Sequence, residues 1–305
     1  MSASITLIGA LTTSHTSSLE NWLSSYHITI TRTVLTNELD LFTVERWELS
    51  RPFAITDESE IRKMLLIRSD KDNVDYVYQN QKLDIYSPGL AVFDMDSTLI
   101  KAEVIDELAI EAGIGQKVAS ITARTMRGEI DFTESFTQRL SLLEGVSSNR
   151  MDNVFARIEY MDGIERLMSV LNHFHWHTAI LSGGFTFFAE KIKERFKFSE
   201  VHANVLEVEN GKLTGKHLGK IVDATRKKQL LERMLQDNNI SFNQSVACGD
   251  GANDLLMLNT ASLGVALHAK PMVREQAPHP INQLGLDAVL YLLGMSSTQI
   301  SKISL

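Results

Sequence analysis

The sequence predicts an α/β protein: a parallel sheet covered by helices, carrying an inserted α-helical cap and preceded by a small α+β unit. Three observations lead there. Apolar runs at 90–93, 178–181 and 245–248 each stop abruptly at polar residues, as buried parallel strands do where a crevice opens at their carboxyl ends. Helical spacing fills the stretches between them. The interval from 94 to 182 far exceeds a crossover of about 10–12 residues, or somewhat more with its helix, so it must hold extra helices.

A chain of 305 residues, 44% of them hydrophobic, is long enough for two domains of about 150 residues with real cores. Its prolines, at 52, 88, 271, 278 and 280, leave 89–270 proline-free, and Ser87-Pro88-Gly89 is a turn signal just before the first apolar run. The predicted division is an N-terminal unit at 1–82, a linker at 83–89 and a second unit at 90–305. In the first unit, strands are predicted at 5–11, 28–35, 41–49 and 74–78. Helices are predicted at 17–26 and 57–67, the latter from Ile61, Met64, Leu65 and Ile67. Strand–helix–strand–strand–helix–strand is the ferredoxin-like order. It also resembles the amino-acid-binding regulatory domains called ACT domains, which implies sensing of an amino acid such as serine through residues 1–82.

In the second unit, Val104, Ile105, Leu108, Ala109 and Ala112 follow helical spacing up to a stop at Gly113. Asp131 and Glu134 make a capping-box pattern for a helix with Phe132, Phe136, Leu140 and Leu143 on one face. The cap is therefore placed at about 104–162. Segments 204–208 and 212–216 flank Asn210-Gly211, a strong hairpin signal. Leu230, Leu231, Met234 and Leu235 mark an amphipathic helix that opens near Lys227.

Four elements carry chemistry. Asp94-Met95-Asp96-Ser97-Thr98 follows the first strand, where a turn can bring both carboxylates round one substrate. By itself an Asp-x-Asp pair suits a metal site, a cap or a surface loop equally well. Ser182-Gly183-Gly184 follows the second run, and its glycines let backbone N–H groups approach an anion, although a plain strand-to-helix turn reads the same. Lys227 could hold a phosphate oxygen and a carboxylate together, but neighbouring Lys228 is indistinguishable from it by sequence. Gly249-Asp250-Gly251-Ala252-Asn253-Asp254 offers acids suited to a hard cation such as magnesium, or a turn with an Asn or Asp cap. His173, His175 and His177 alternate with Phe174 and Trp176 and lack further ligands nearby, so they read as packing rather than a zinc site. Cys248 reads as a small apolar strand residue.

In this order the four elements resemble the motifs of the haloacid dehalogenase (HAD) superfamily over about 90–295. The resemblance implies a HAD-like Rossmannoid sheet and a phosphatase. Asp94 would be the nucleophile that forms an aspartyl-phosphate, and Asp96 the general acid and then the base. Ser182, Gly183, Lys227 and Asn253 would hold phosphate. Magnesium would be bound by Asp94, Asp250 and the backbone carbonyl of Asp96, with Asp254 orienting its water shell. Asp94-Met-Asp-Ser-Thr-Leu-Ile-Lys-Ala-Glu103, Arg139-Leu-Ser-Leu-Leu143, Ser182-Gly-Gly-Phe185, 249–254 and Ala266-Leu-His-Ala-Lys-Pro271 resemble the phosphoserine phosphatases within that superfamily. That implies Glu103 for the substrate ammonium, Arg139 for its carboxylate, and the last step of serine biosynthesis. By spacing alone, Glu103 is a helix N-terminal acid favoured by the dipole and Arg139 a solvated flank.

The chemistry is self-consistent. Phosphate monoester hydrolysis is among the slowest uncatalysed reactions, and a carboxylate nucleophile splits it into two steps. Anion attacking anion demands neutralising charge, and an alkoxide leaving group demands a protonated Asp96, whose pKa burial under the cap would raise. Rival readings are another HAD small-molecule phosphatase, a phosphotransferase passing phosphate from phosphoserine to homoserine, and an amino-acid-sensing regulatory protein.

The formal charge of −8 argues against nucleic acid as a partner. No apolar run reaches the ~20 residues of a membrane span, and the first basic residue is Arg32, which argues against a secretory signal. The lone Cys248 suits a reducing compartment, so the expectation is a cytoplasmic enzyme with a small-molecule phosphomonoester as partner and a homodimer left open. Five acids (Asp94, Asp96, Glu103, Asp250, Asp254) and two bases (Arg139, Lys227) give the proposed crevice a local charge of −3. The cation must therefore be present before a phosphate binds well.

Overall fold

The computed structural model describes residues 3–38, 40–126 and 129–304. The first unit runs β1 Ser4–Gly9, α1 Thr13–Ser25, β2 Ile30–Val34, β3 Thr43–Leu49, α2 Glu58–Asp72 and β4 Val74–Gln79. Thr12 caps α1 reciprocally: its Oγ1 accepts the His15 N–H at 3.3 Å and His15 Nδ1 accepts the Thr12 N–H at 3.4 Å. In α2, Ile61, Leu65 and Ser69 repeat at four-residue steps and face the sheet. Met64 and Ile67 are 38% and 70% exposed, so the apolar spacing read across 61–67 mixes two faces. Asn73 ends the helix in the left-handed region. Strand order is β2-β3-β1-β4 with each neighbouring pair antiparallel, the ferredoxin-like arrangement.

The second unit begins at β5 Leu90–Phe93 and continues α3 Val104–Glu111, α4 Gly115–Met126, α5 Phe132–Ser141, α6 Arg150–Phe155 and α7 Ile164–His173. Then come β6 His177–Phe185, α8 Thr186–Phe196, β7 Glu200–Glu209, β8 Lys212–Leu218, α9 Ala224–Asp237 and β9 Ser245–Gly249. The chain closes with α10 Leu255–Thr260, β10 Leu263–Leu267, α11 Pro271–Gln276, β11 His279–Ile281, α12 Ala288–Leu292 and α13 Ser297–Ile303. The strand order β11-β10-β9-β5-β6-β7-β8 is parallel except for the β7–β8 hairpin. Asn210 and Gly211 both take positive φ in that hairpin, as a two-residue turn of this kind requires.

Strands β5, β9 and β10 are buried on both faces, which explains their unbroken apolar runs. Leu90 and Val92 pack with α9 side chains Leu230, Leu231 and Met234, while Ala91 and Phe93 join the opposite core. The chain leaves β5 for β6 and β7 on one side and returns with β9 on the other. That reversal beside β5 opens a crevice at the strands' carboxyl ends. Helices α3 to α6 fill the long interval between β5 and α7. No helix among the described residues is long and apolar enough to cross a membrane.

The first unit's sheet is covered on both faces as well. Ile5, Leu7, Trp47 and Tyr76 form its own core, while Ile8, Val44 and Val77 contribute to the core of the second unit. Polar contacts fix the seam. Asp75 Oδ2 accepts the backbone N–H groups of Asn282 and Gln283, both at 2.8 Å, and Arg46 Nη1 donates to the Leu292 carbonyl at 2.9 Å. Segment 83–89 is tied in too, through Trp176 Nε1 donating to the Ile85 carbonyl at 3.0 Å. Asp75→Ala strands two backbone donors and should lower unfolding free energy in urea by about 2–4 kcal/mol. Equal midpoints for variant and parent would show that the seam does not contribute.

Candidate active site

Asp94 follows β5 directly, and its N–H donates to the Cys248 carbonyl of β9 at 2.9 Å, so two adjacent strands set where the loop begins. Its Oδ1 accepts the Met95 N–H at 2.8 Å. Asp223 caps α9 by accepting the Arg226 N–H at 2.8 Å, which places Lys227 one residue further into the first turn. Lys227 is wholly buried, and its Nζ donates to Asp94 Oδ1 at 2.8 Å and to Asp254 Oδ1 at 2.7 Å. Asp254 also accepts the Gly251 N–H at 3.0 Å, closing the turn that carries Asp250 and Asn253. One carboxylate oxygen each from Asp94, Asp250 and Asp254 lies within 4.8 Å of the others.

Asp96 turns toward the cap, where its Oδ1 accepts the N–H of Val104 at the start of α3 at 3.2 Å. A Cβ on Gly184 would stand 2.7 Å from Asp96 Oδ2, so only glycine permits this approach. Strand β6 runs on through Phe185 rather than ending at residue 181, and Ser182 Oγ accepts the Gly184 N–H at 2.8 Å. Asn204 pins this end by donating to the Gly183 carbonyl at 2.8 Å and accepting the Val222 N–H at 2.9 Å. The cap closes over it: Phe132 Cζ lies 3.0 Å from where a Gly183 Cβ would be. Asp131 caps α5 by accepting the Glu134 N–H at 2.8 Å, one half of the expected reciprocal pair.

The cap supplies a second pole. Glu103 is the N-cap residue of α3, and Ser97 Oγ donates to its Oε1 at 2.8 Å. Arg139, in the last turn of α5, makes one long hydrogen bond among the described residues, Nε to the Ser135 carbonyl at 3.4 Å. The negative charges acting on it are Asp106, then Glu103 and Asp96. Asp106 was not singled out by sequence and Lys270 only within the 266–271 motif, with no role given, yet both belong to this electrostatic neighbourhood, Lys270 acting on Glu103 and Asp250. Asp106 was detectable from its position three residues after Glu103, in the first turn of α3.

Burial, then the charge of Asp254, raises Asp94 well above the usual carboxylate range, with Lys227 opposing. Burial, then Glu103 and Asp94, raises Asp96 likewise. Asp250 is pushed up to about 7 by burial and then by Asp254 and Glu103. Burial works to lower Lys227, but Asp254 and Asp94 outweigh it and keep the ammonium charged. Three converging acids thus face one lysine. Hard oxygen donors carrying excess negative charge fit a divalent cation of the magnesium type.

A family model of haloacid dehalogenase-like hydrolases matches residues 91–259. A phosphoserine phosphatase of Archaeoglobus fulgidus is 40% identical over 239 residues, covering 77% of this chain and 70% of the relative. A phosphoserine phosphatase of Vibrio cholerae serotype O1 is 38% identical over 268 residues, covering 87% and 80%. A HAD family hydrolase of Salmonella enterica serovar Typhi superposes with a TM-score of 0.82 at 29% identity, over 95% of this chain and 98% of that one. With the crevice, the acid cluster and these relatives in hand, the chain belongs to the haloacid dehalogenase-like hydrolase family.

Proposed function

We propose that the chain is a magnesium-dependent phosphatase that hydrolyses O-phospho-L-serine to L-serine and phosphate. The observation that carries this is the buried Asp94–Lys227–Asp254 array, set beside Asp96 and a separate Glu103–Arg139 pole. One end suits a phosphate, the other an amino acid's ammonium and carboxylate. Relatives named phosphoserine phosphatase support the same substrate.

Asp94, Asp250 and the backbone carbonyl of Asp96 would hold magnesium, with Asp254 orienting its water shell as well as Lys227. When bound, the cation would neutralise phosphate charge that would otherwise repel a carboxylate. Lys227, Ser182, the Gly183 N–H and Asn253 hold phosphate oxygens. An Asp94 oxygen forms a bond to phosphorus as the bond to the serine oxygen breaks, and Asp96 passes its proton to that oxygen. Deprotonated Asp96 then takes a proton from water, whose oxygen attacks phosphorus and frees Asp94. The raised pKa of Asp96 suits its first task. Residues 1–82 are read as a separate unit docked on this core.

Three outcomes test the reading. Phosphate release from a panel of phospho-amino acids and sugar phosphates should require magnesium and favour phosphoserine, and Asp94→Asn should abolish it. Turnover by folded Asp94→Asn would reject the nucleophile. Gly184→Ala should cut kcat by about 100-fold, since the methyl displaces Asp96 from its task as acid; unchanged kcat would reject that task. The third outcome is thermal. The raised carboxylates bind protons in the folded state that the unfolded chain releases above about pH 4, so metal-free stability falls as pH rises towards about 7. Magnesium needs the ionised cluster, so it should raise Tm more at pH 7.5 than at pH 5, and Asp250→Asn should weaken both effects. An equal rise in Tm at both pH values would reject the site.

A further inference from the structure

Asp106 is a half-buried acid with no assigned task. Glu103 is the N-cap of α3, and Asp106 follows three residues later, in the helix's first turn. Acids in a first helical turn usually answer the helix dipole from solvent. Asp106 does not fit that account, because its Oδ1 is buried and has no hydrogen-bond partner among the described residues. A buried oxygen of this kind calls for an explanation, and a ligand-dependent rearrangement is one.

Arg139 has the complementary deficit. Its guanidinium carries five donors, yet among the described residues its one hydrogen bond is the 3.4 Å contact from Nε to the Ser135 carbonyl. Asp106 is the leading negative charge near it, ahead of Glu103 and Asp96, although no hydrogen bond or ion pair joins the two among the described residues. Glu103 already has a partner in Ser97 at 2.8 Å, whereas Asp106 Oδ1 has none. A guanidinium can engage a carboxylate along each of two edges. If one edge is to meet a substrate carboxylate squarely, something must hold the other.

We propose that Asp106 is a positioning residue for Arg139: as substrate binds, it takes one edge of the guanidinium and turns the other toward the carboxylate of the substrate. This rests on the reading that Arg139 binds that carboxylate. The role concerns specificity rather than chemistry, because Asp106 touches neither the phosphate nor the attacking group.

The test compares wild type, Asp106→Ala, Asp106→Asn, Arg139→Ala and the Asp106→Ala/Arg139→Ala double variant, with folding checked by circular dichroism. Each is assayed on O-phosphoserine and on O-phosphoethanolamine, which keeps the amine and lacks the carboxylate. The latter is measured as a substrate or, where it is not turned over, as a competitive inhibitor. Asp106→Ala should raise KM for phosphoserine by about ten-fold or more with little change in kcat. It should leave phosphoethanolamine within about two-fold and add nothing to Arg139→Ala. Asp106→Asn keeps the shape and loses the charge, so it should follow Asp106→Ala and serves if that variant does not fold. Equal losses on both substrates, or full additivity with Arg139→Ala, would overturn the proposal. If Arg139→Ala fails to change the ratio between the two substrates, the carboxylate reading falls and the proposal falls with it. If Arg139→Ala changes that ratio and Asp106→Ala does not, the proposal alone falls.

Discussion

The buried ammonium of Lys227 is the interaction on which the rest of the site depends. It joins α9 to the loop after β5 and to the turn after β9 through Asp94 and Asp254, at 2.8 and 2.7 Å. Charges taken this far from water are costly unless paired and hydrogen-bonded. The pairing is therefore geometric as well as electrostatic. Gly249 shows how closely: a Cβ there would stand 2.5 Å from Asp254 Cγ, so the strand end is bare where the acid must lie. The array still carries more negative than positive charge, which leaves the site dependent on a cation for balance.

The cap solves a different problem. As the proposed general acid, Asp96 would need a low-dielectric setting to keep a proton, and its place beneath α3 and beside Gly184 raises its pKa in that direction. On the proposed reading, the elements that exclude water would also read the substrate, since Glu103 caps α3 and Arg139 lies near the end of α5. Phe132 over Gly183 links the two tasks, because it places the start of α5 directly against the strand end proposed to face phosphate. Closing the site and, in that reading, recognising an amino acid would thus fall to one small helical group.

The N-terminal unit is bound to this core by more than a linker. One face of its sheet shares apolar residues with the second unit, and Asp75 accepts two backbone N–H groups that follow β11. Strand β11 in turn adjoins β10, and the connection between them bears Lys270. The first unit therefore sits one strand away from a cation that acts on Glu103 and Asp250.

Local chemistry was legible in the sequence. Alternating and helical spacing, the Asn210-Gly211 turn and the apolar runs ending in Asp94, Ser182 and Asp250 predicted the α/β fold, because those signals act over a few residues. Where two faces mixed, as at Met64 and Ile67, the spacing misled, since periodicity reports an apolar stripe and not what covers it. Lys227 and Lys228 are neighbours of one type, yet the first is wholly buried and the second is 43% exposed. Only the tertiary structure decides between them, because burial depends on which strand end the helix face meets. The same holds for Asp106 and Arg139, 33 residues apart in the chain. Sequence determined which groups were available. The reversal of strand order beside β5 and the closure of the cap decided which of them share one buried space, and electrostatic coupling follows distance in space, not separation along the chain.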